Sequence, residues 1–129
     1  TMLTHSKLQS IIWTPRIQEA ETSYRDVLGL TLRTRSDGAL VFDVGGGDLR
    51  VAPIPSTAPG EHTVMGFAVA DVDSVIASLS SRGVVFERFA VFPHAANGTV
   101  ISPDGAKVAW FRDPDGNILS VVQFPATNY

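Results

Sequence analysis

Cysteine is absent from this sequence, and histidine occurs only three times. Without cysteine there can be no disulfide, no thiolate nucleophile and no cysteine-ligated metal site, and this composition fits a reducing cytoplasm, where we expect the protein to reside. No apolar run approaches the roughly 20 residues of a membrane-spanning helix, and residues 1–7 lack the apolar core of a signal peptide. We therefore expect no membrane partner.

Positive charge is also scarce. The chain has 10 Lys and Arg against 13 Asp and Glu, which gives a formal net charge of −3. Nucleic acids and anionic membranes are bound through clusters of basic side chains, so neither is an expected partner. The rest of the composition, 44% hydrophobic and 18% charged over 129 residues, predicts one ordinary globular domain.

The most specific local pattern lies in residues 107–124, which read KVAWFRDPDGNILSVVQF. Two apolar segments, Val108 to Phe111 and Ile118 to Phe124, flank the residues DPDGN. Within DPDGN, proline presets φ for a turn, glycine can adopt a positive φ, and Asp or Asn side chains can accept hydrogen bonds from nearby backbone amides. The pattern predicts a β-hairpin, so we assign Asp113 and Asp115 to its turn and not to acid–base chemistry.

The first half of the chain predicts a strand, a helix and three more strands. Leu8 to Thr14 is rich in β-branched and aromatic residues and ends at Pro15, which is typical of a strand. Apolar residues then recur at helical spacing from about Arg16 to Leu28, and Gly29 suits the end of that helix. The three following strands are predicted at Leu30 to Thr34, Ala39 to Val44 and Leu49 to Ile54.

The second half repeats this order after a proline-rich segment, Pro53 to Gly60. Its predicted elements are a strand at Thr63 to Val69, a helix at Asp71 to Arg82, a strand at Val84 to Phe89, a loop at Phe92 to Asp104, and the two strands of the hairpin. Ile17 and Val72, the first apolar residues of the two helices, are 55 positions apart. A repeat of this length indicates two copies of one structural unit.

Two β-α-β-β-β halves predict an α+β fold. We expect two paired βαβββ modules that form a curved mixed sheet with a concave groove, with the helices on the convex side. Residues 1–129 would be one domain, with module one at about 7–54, a linker at about 55–61 and module two at about 62–124.

Three segments resemble the vicinal oxygen chelate superfamily, which groups glyoxalase I, bleomycin-resistance proteins and extradiol dioxygenases. They are Ser23 to Arg33, Gly66 to Glu87 and Trp110 to Phe124. The resemblance implies the same paired-module fold, and it commonly implies a homodimer in which modules of both chains frame the pockets.

The resemblance also implies four strand positions that usually hold a divalent metal through His, Gln or Glu. These positions are Gln9, Arg50, Val64 and Ser120 in this sequence. An amide, a guanidinium, an isopropyl group and a hydroxyl do not make a chelate for a divalent cation, so we expect no metal and no cofactor. A different alignment would instead bring His5, Glu61 and His62 to the ends of the first and fifth strands.

Strand alternation predicts which side chains line the groove. The expected ligand-binding residues are the aromatic Trp13, Trp110 and Phe124 and the polar Gln9, Arg50 and Ser120. Such a mostly apolar lining with a few polar groups is typical of a small-molecule pocket. Trp13 and Trp110 could instead be packing or dimer-contact residues, and Arg50 could be exposed or paired with Asp48. His94, in the long loop, is expected to be solvated.

These features favour a metal-free small-molecule-binding protein that sequesters an antibiotic or another aromatic or apolar metabolite. One alternative is an enzyme, either a lyase or isomerase of glyoxalase type or a dioxygenase, with a metal site that includes His5 or His62. Another alternative is a dimeric interaction module with a closed groove. The sequence leaves open whether any catalysis occurs.

Overall fold

The computed structural model describes residues 2–125. It divides into two compact units with the boundary between Ala58 and Pro59, inside the segment predicted as a linker. Each unit contains a four-stranded mixed sheet and one helical segment in the order β-α-β-β-β. The predicted α+β fold of two βαβββ modules is confirmed.

The first unit contains β1 (Gln9–Thr14), a helical segment, β2 (Thr31–Ser36), β3 (Ala39–Val44) and β4 (Gly47–Pro53). The strand order in its sheet is β1-β4-β3-β2. The β1 and β4 strands are parallel, whereas β4, β3 and β2 are antiparallel neighbours. The parallel pair needs a crossover connection, and the helical segment supplies part of it.

The helix predicted at Arg16 to Leu28 has two parts. An α-helix, α1, covers Ile17–Glu21, and a π-helical segment covers Thr22–Val27. The backbone N–H of Leu28 donates to the carbonyl oxygen of Ser23, five residues earlier, at 2.9 Å. The apolar spacing identified the helix and its buried side. It does not distinguish backbone hydrogen bonds to the residue four positions earlier, as in an α-helix, from bonds to the residue five positions earlier, as in a π-helix.

The second unit contains β5 (Thr63–Ala68), α2 (Val72–Ser81), β6 (Val100–Ile101), β7 (Lys107–Arg112) and β8 (Ile118–Gln123). Its strand order is β5-β8-β7-β6, with β5 parallel to β8. Asp71 caps α2 by accepting a hydrogen bond from the backbone N–H of Ser74 at 3.2 Å. The backbone N–H of Val72 donates to the Gln123 side chain, which joins the start of α2 to the end of β8.

The prediction of a strand at Val84 to Phe89 is wrong. Only Phe86 forms a bridge to β7, and the next backbone N–H, that of Glu87, donates to the carbonyl oxygen of Trp110. The chain then leaves the sheet, because the N–H of Phe89 donates to His94 instead of to β7. The neighbouring strand of β7 is the short β6, which lies inside the segment that we expected to be a loop.

The DPDGN turn joins β7 to β8 in register, with Arg112 opposite Ile118. One carboxylate oxygen of Asp113 accepts hydrogen bonds from the backbone N–H groups of Asp115 and Asn117, and the other accepts from the Asn117 side chain. Gly116 adopts φ +91°, which only glycine takes without strain. The hairpin prediction is confirmed.

No helix within residues 2–125 is both long enough and apolar enough to span a membrane.

Candidate functional site

In each unit, one face of the sheet packs against the helical segment, and we call the opposite side the open face. In the first unit Phe42 contacts Tyr24 of the π-helical segment, so Phe42 marks the helix face. Arg50 lies between Ile11 of β1 and Val41 of β3 on the open face. Trp13 shares this face, and its side chain is 57% exposed.

Arg50 does not pair with Asp48. One guanidinium nitrogen of Arg50 donates to the backbone carbonyl oxygen of Ser36 at 3.1 Å. Asp48 forms ion pairs with Lys7 at 3.2 Å and Arg33 at 2.9 Å. The hydrogen bond from Lys7 and the charges of both cations lower the pKa of Asp48 despite its partial burial. The remaining N–H groups of Arg50 have no partner within residues 2–125, so they are available to an anionic group.

Gln9 lies at the beginning of β1, next to Asp48 in the register, and its side chain is exposed. It therefore shares the open face of the first unit with Trp13 and Arg50, as the alternation predicted. These three residues are the part of the predicted ligand set that the first unit contains.

In the second unit the open face is built around Ser120 of β8. Ser120 has Gly66 of β5 on one side and Trp110 of β7 on the other. The Ser120 hydroxyl is directed toward Gly66, because a Cβ added to Gly66 would lie 2.6 Å from it. Ser120 is only 8% exposed, and among residues 2–125 its hydroxyl has no hydrogen-bond partner. It can therefore donate a hydrogen bond to a ligand or accept one from it.

Trp110 is surrounded by aromatic side chains from the segment that follows Phe86. The ring of Phe92 stacks on it, with a centroid distance of 5.6 Å and an angle of 14°. Phe89 and His94 meet it edge-on at 5.3 Å and 6.3 Å. Such arrangements are the favourable geometries for aromatic pairs. We call Trp110, Phe89, Phe92 and His94 the aromatic cluster.

A cavity of about 320 Å³ lies beside this cluster. Trp110 and Ile118 contribute side chains from the open face, and Ile118 is one same-face step along β8 from Ser120. The other residues around the cavity are Glu61, His62, Thr63, Phe89, Val91 and Phe92. Its volume is at the lower end of the range of about 300–1,000 Å³ that is typical of small-molecule sites, and its lining is mostly apolar.

Charges near the cavity are largely paired. The guanidinium of Arg112 donates to Glu87 at 3.0 Å and to the carbonyl oxygen of Gly116 at 3.0 Å, and it lies 3.7 Å from the Glu61 carboxylate. The hydrogen bond to Glu87 raises the pKa of Arg112, which keeps this guanidinium fully charged. The cavity therefore presents aromatic surface with a polar rim.

A second cavity of about 480 Å³ lies between α2 and residues 84–98. Its charged side chains already have partners. Arg88 donates to the carbonyl oxygens of Ala95 and Ala96, and Asp73 accepts from Asn97 and Lys107. The smaller cavity is the better candidate site because Trp110 and Ile118 of the open face line it.

Of the six predicted ligand-binding residues, Trp110 lines the smaller cavity, and Ser120 lies next to it on the same face. Phe124 follows β8 directly and is partly exposed. At Val64, one of the four positions that the resemblance assigns to metal ligands, the pairing of β5 with β8 is interrupted by a bulge between Thr63 and Met65. Sequence alternation could not predict this bulge.

Sequence analysis missed the role of the segment after Phe86. Phe89 and Phe92 form one wall of the cavity, and His94 is bonded through both ring nitrogens instead of being solvated. The signal that could have identified this segment is its aromatic density, FERFAVFPH over residues 86–94.

The comparisons with known proteins agree with this architecture. The family model of the Glyoxalase/Bleomycin resistance protein/Dioxygenase superfamily matches residues 6–121, which is most of the chain. The chain belongs to this superfamily. The resemblance seen in the sequence is thereby confirmed. Among curated protein sequences, none matches this superfamily member significantly.

Solved structures share the superfamily fold at low sequence identity. A superfamily member from Sphaerobacter thermophilus has a TM-score of 0.74 and 20% identity, over 94% of this chain and 98% of the other. A lactoylglutathione lyase from Agrobacterium tumefaciens has a TM-score of 0.70 and 21% identity, over 92% and 93%. A glyoxalase/bleomycin resistance protein/dioxygenase from Alicyclobacillus acidocaldarius has 0.70 and 17%, over 96% and 95%. These likenesses support the fold alone.

The metal that the superfamily resemblance implies does not fit the residues present. The four positions that the resemblance assigns to metal ligands, Gln9, Arg50, Val64 and Ser120, hold an amide, a guanidinium, an isopropyl group and a hydroxyl. None of these is a usual ligand set for a divalent cation, and the positive guanidinium would repel one. Within residues 2–125, no three His, Asp or Glu side chains lie close enough together to hold a metal ion. His5 and His62 are both exposed.

Proposed function

We propose that this superfamily member binds a small organic molecule with an aromatic or apolar ring and sequesters it without chemistry. The observation that supports the proposal most directly is the aromatic cavity beside Trp110. The ring of the ligand would occupy this cavity, and the Ser120 hydroxyl would bond a polar substituent. The non-chelating side chains at the metal positions favour binding through ring contacts and hydrogen bonds over coordination.

The open face of the first unit carries the other predicted residues, Gln9, Trp13 and Arg50. They would form a second surface for a molecule of the same class. Because Arg50 has unpaired N–H groups, it would bind an anionic substituent through charge-assisted hydrogen bonds. The proposed ligand is therefore an aromatic molecule with one polar or anionic group.

A fluorescence titration tests the proposal. The chain has two tryptophans, so a Trp13→Phe background makes Trp110 the sole emitter. Anilinonaphthalene sulfonate, an aromatic dye with an anionic group, is the probe. We expect the dye to quench Trp110 emission with saturation.

Two exposed valines provide a matched pair of variants. Val91, which lines the cavity, is 81% exposed, and Val85, which lies outside it, is 77% exposed. Both substitutions to Asp add the same charge at a site that tolerates it. Val91→Asp should weaken dye binding by about tenfold, because it puts an uncompensated charge against the apolar ring, and Val85→Asp should leave it unchanged. Equal affinities of the two variants would refute the cavity as the binding site.

Competition with bleomycin tests the ligand class that the superfamily's name suggests. Displacement of the dye would support the sequestration of an antibiotic. Retention of the dye at saturating bleomycin would exclude bleomycin as the ligand and leave other aromatic metabolites.

We also propose a homodimer, as the family resemblance implies. β1 is an edge strand of its sheet, and the exposed side chain of Ile11, together with Leu8 before the strand, would be covered by a partner. Analytical ultracentrifugation should give twice the chain mass of 13.8 kDa. A monomer at all concentrations would contradict this.

A further inference from the structure

The hydrogen bonds of His94 determine its protonation state. The backbone N–H of Phe89 lies 2.9 Å from Nε2, and the carbonyl oxygen of Gly98 lies 2.7 Å from Nδ1. A backbone N–H can only donate and a carbonyl oxygen can only accept, so Nε2 carries no proton and Nδ1 carries one. Both bonds are therefore satisfied only by the neutral imidazole, in one tautomer.

This imidazole links the two ends of the segment that forms the cavity wall. It joins the backbone at Phe89 to the backbone at Gly98, and the N–H of Phe92 donates to the carbonyl oxygen of Phe89 within the closed segment. The rings of Phe89 and Phe92 are both in contact with Trp110. The position of the wall against Trp110 thus depends on the acceptor at Nε2.

Protonation of His94 would replace this acceptor by a donor. Nε2–H would then face the N–H of Phe89, the hydrogen bond would be lost, and a partly buried backbone N–H would be left unpaired. Histidine is the side chain whose charge ordinarily changes between about pH 5 and pH 8. The hydrogen bond that holds the wall is therefore present at neutral and higher pH, and it is lost as the pH falls.

The charged groups around His94 do not replace the lost bond. On its own segment, the Arg88 guanidinium donates to the next two carbonyl groups after His94, those of Ala95 and Ala96. On β7, the charge of Arg112 is paired with Glu87. Among residues 2–125, no carboxylate bonds to His94 and could stabilise its cation.

Two other titratable groups lie near the aromatic cluster, at the rim of the cavity. The Glu61 carboxylate lies 3.7 Å from the Arg112 guanidinium, and His62, an imidazole like His94, is among the residues around the cavity. His62 must therefore be tested separately.

We propose that His94 is a positioning residue for the ligand cavity, and that its neutral imidazole holds the wall formed by Phe89 and Phe92 against Trp110. Binding to the cavity then weakens on acidification because the wall is released. The second part of this inference rests on the proposed binding function. The first part, the positioning of the wall, does not.

Three variants in the Trp13→Phe background test the proposal. His94→Gln places an amide oxygen near the position of Nε2, so it retains an acceptor for the Phe89 N–H but does not titrate. His94→Phe retains a ring against Trp110 and removes both hydrogen bonds. His62→Gln removes the other titratable imidazole near the cavity and is the control.

The first readout needs no ligand. The emission of Trp110, recorded between about pH 8 and pH 5, reports the packing of Phe92 on the indole ring. It should change with pH in the parent protein and in His62→Gln, and it should stay constant in His94→Gln. In His94→Phe the emission at pH 8 should already resemble that of the acidified parent.

The second readout is the affinity for anilinonaphthalene sulfonate. It should fall by about tenfold on acidification of the parent, which corresponds to the loss of one hydrogen bond with its donor left unpaired. It should fall by at least as much in His94→Phe at pH 8, because this variant lacks both bonds. His94→Gln should bind with nearly the parental affinity at both pH values.

The outcomes separate the two proposals. The positioning role is overturned if the Trp110 emission of His94→Gln changes with pH as it does in the parent. It is also overturned if neither readout depends on pH in the parent. If Trp110 emission follows the expected pattern but the dye does not bind at any pH, the positioning role stands and the proposed function fails. If the dye binds equally well at both pH values in all variants, the proposed function stands and the dependence of binding on His94 fails.

Discussion

The hydrogen bonds of Asp113 give the most quantitative prediction for this fold. Its carboxylate accepts hydrogen bonds from the backbone N–H groups of Asp115 and Asn117 and from the Asn117 side chain, and Asp113 is only 7% exposed. Asp113→Ala removes all three and leaves the donors at Asp115 and Asn117 without this acceptor. Broken buried networks of this size cost roughly 3 kcal/mol of unfolding free energy. For a chain of this length, that corresponds to a fall in Tm of roughly 10 °C.

An exchange of the two side chains gives a sharper control. Asp113→Asn retains an oxygen for the two backbone N–H groups, but its amide nitrogen faces the amide nitrogen of Asn117, so one bond is lost. Adding Asn117→Asp restores that bond with donor and acceptor reversed. Urea unfolding should rank the proteins as parent, double variant, Asp113→Asn and Asp113→Ala, in decreasing order of stability. A cost below about 1 kcal/mol for Asp113→Ala, or no recovery in the double variant, would refute the reasoning.

Two further predictions concern contacts in the second unit. Gly66→Ala should lower the free energy of unfolding by about 1 kcal/mol, because its methyl group displaces the Ser120 hydroxyl. In a Ser120→Ala background the loss should be less than half of that. Equal losses in urea unfolding would contradict the contact. Lys107 lowers the pKa of Asp73, so the stabilisation by this pair is complete above the ordinary pKa of an aspartate and is lost as the pH falls through the lowered value. Asp73→Asn should therefore reduce the loss of stability in acid. A fall in Tm with decreasing pH that is as large in the variant as in the parent would contradict this.

Much of the fold could be predicted from the sequence because its signals are local. The predicted bounds of β3 match the structure, and those of α2 differ from it by one residue at each end, since hydrophobic spacing and turn residues act over a few residues. The segment from Val84 to Phe89 could not be predicted in the same way. Its composition is typical of a strand, but whether it pairs with β7 depends on where His94 directs the backbone of Phe89.

The candidate site was predictable only in part for the same reason. Register and alternation placed Trp110 and Ser120 on one face of a sheet, and the structure puts them in adjacent strands. The wall formed by Phe89 and Phe92 comes from an irregular segment, for which no periodic pattern indicates the direction of a side chain. The bulge at Val64 likewise depends on the pairing of β5 with β8 and not on composition.

A crystal structure of the protein soaked with both anilinonaphthalene sulfonate and Mn²⁺, with the manganese anomalous signal recorded, would test the central claim most directly. We predict electron density for the dye against Trp110, within reach of the Ser120 hydroxyl, and no anomalous peak at Gln9, Arg50, Val64 or Ser120. A manganese ion held by imidazoles or carboxylates at an open face, with the aromatic cavity empty, would contradict the account and favour a metal-dependent enzyme.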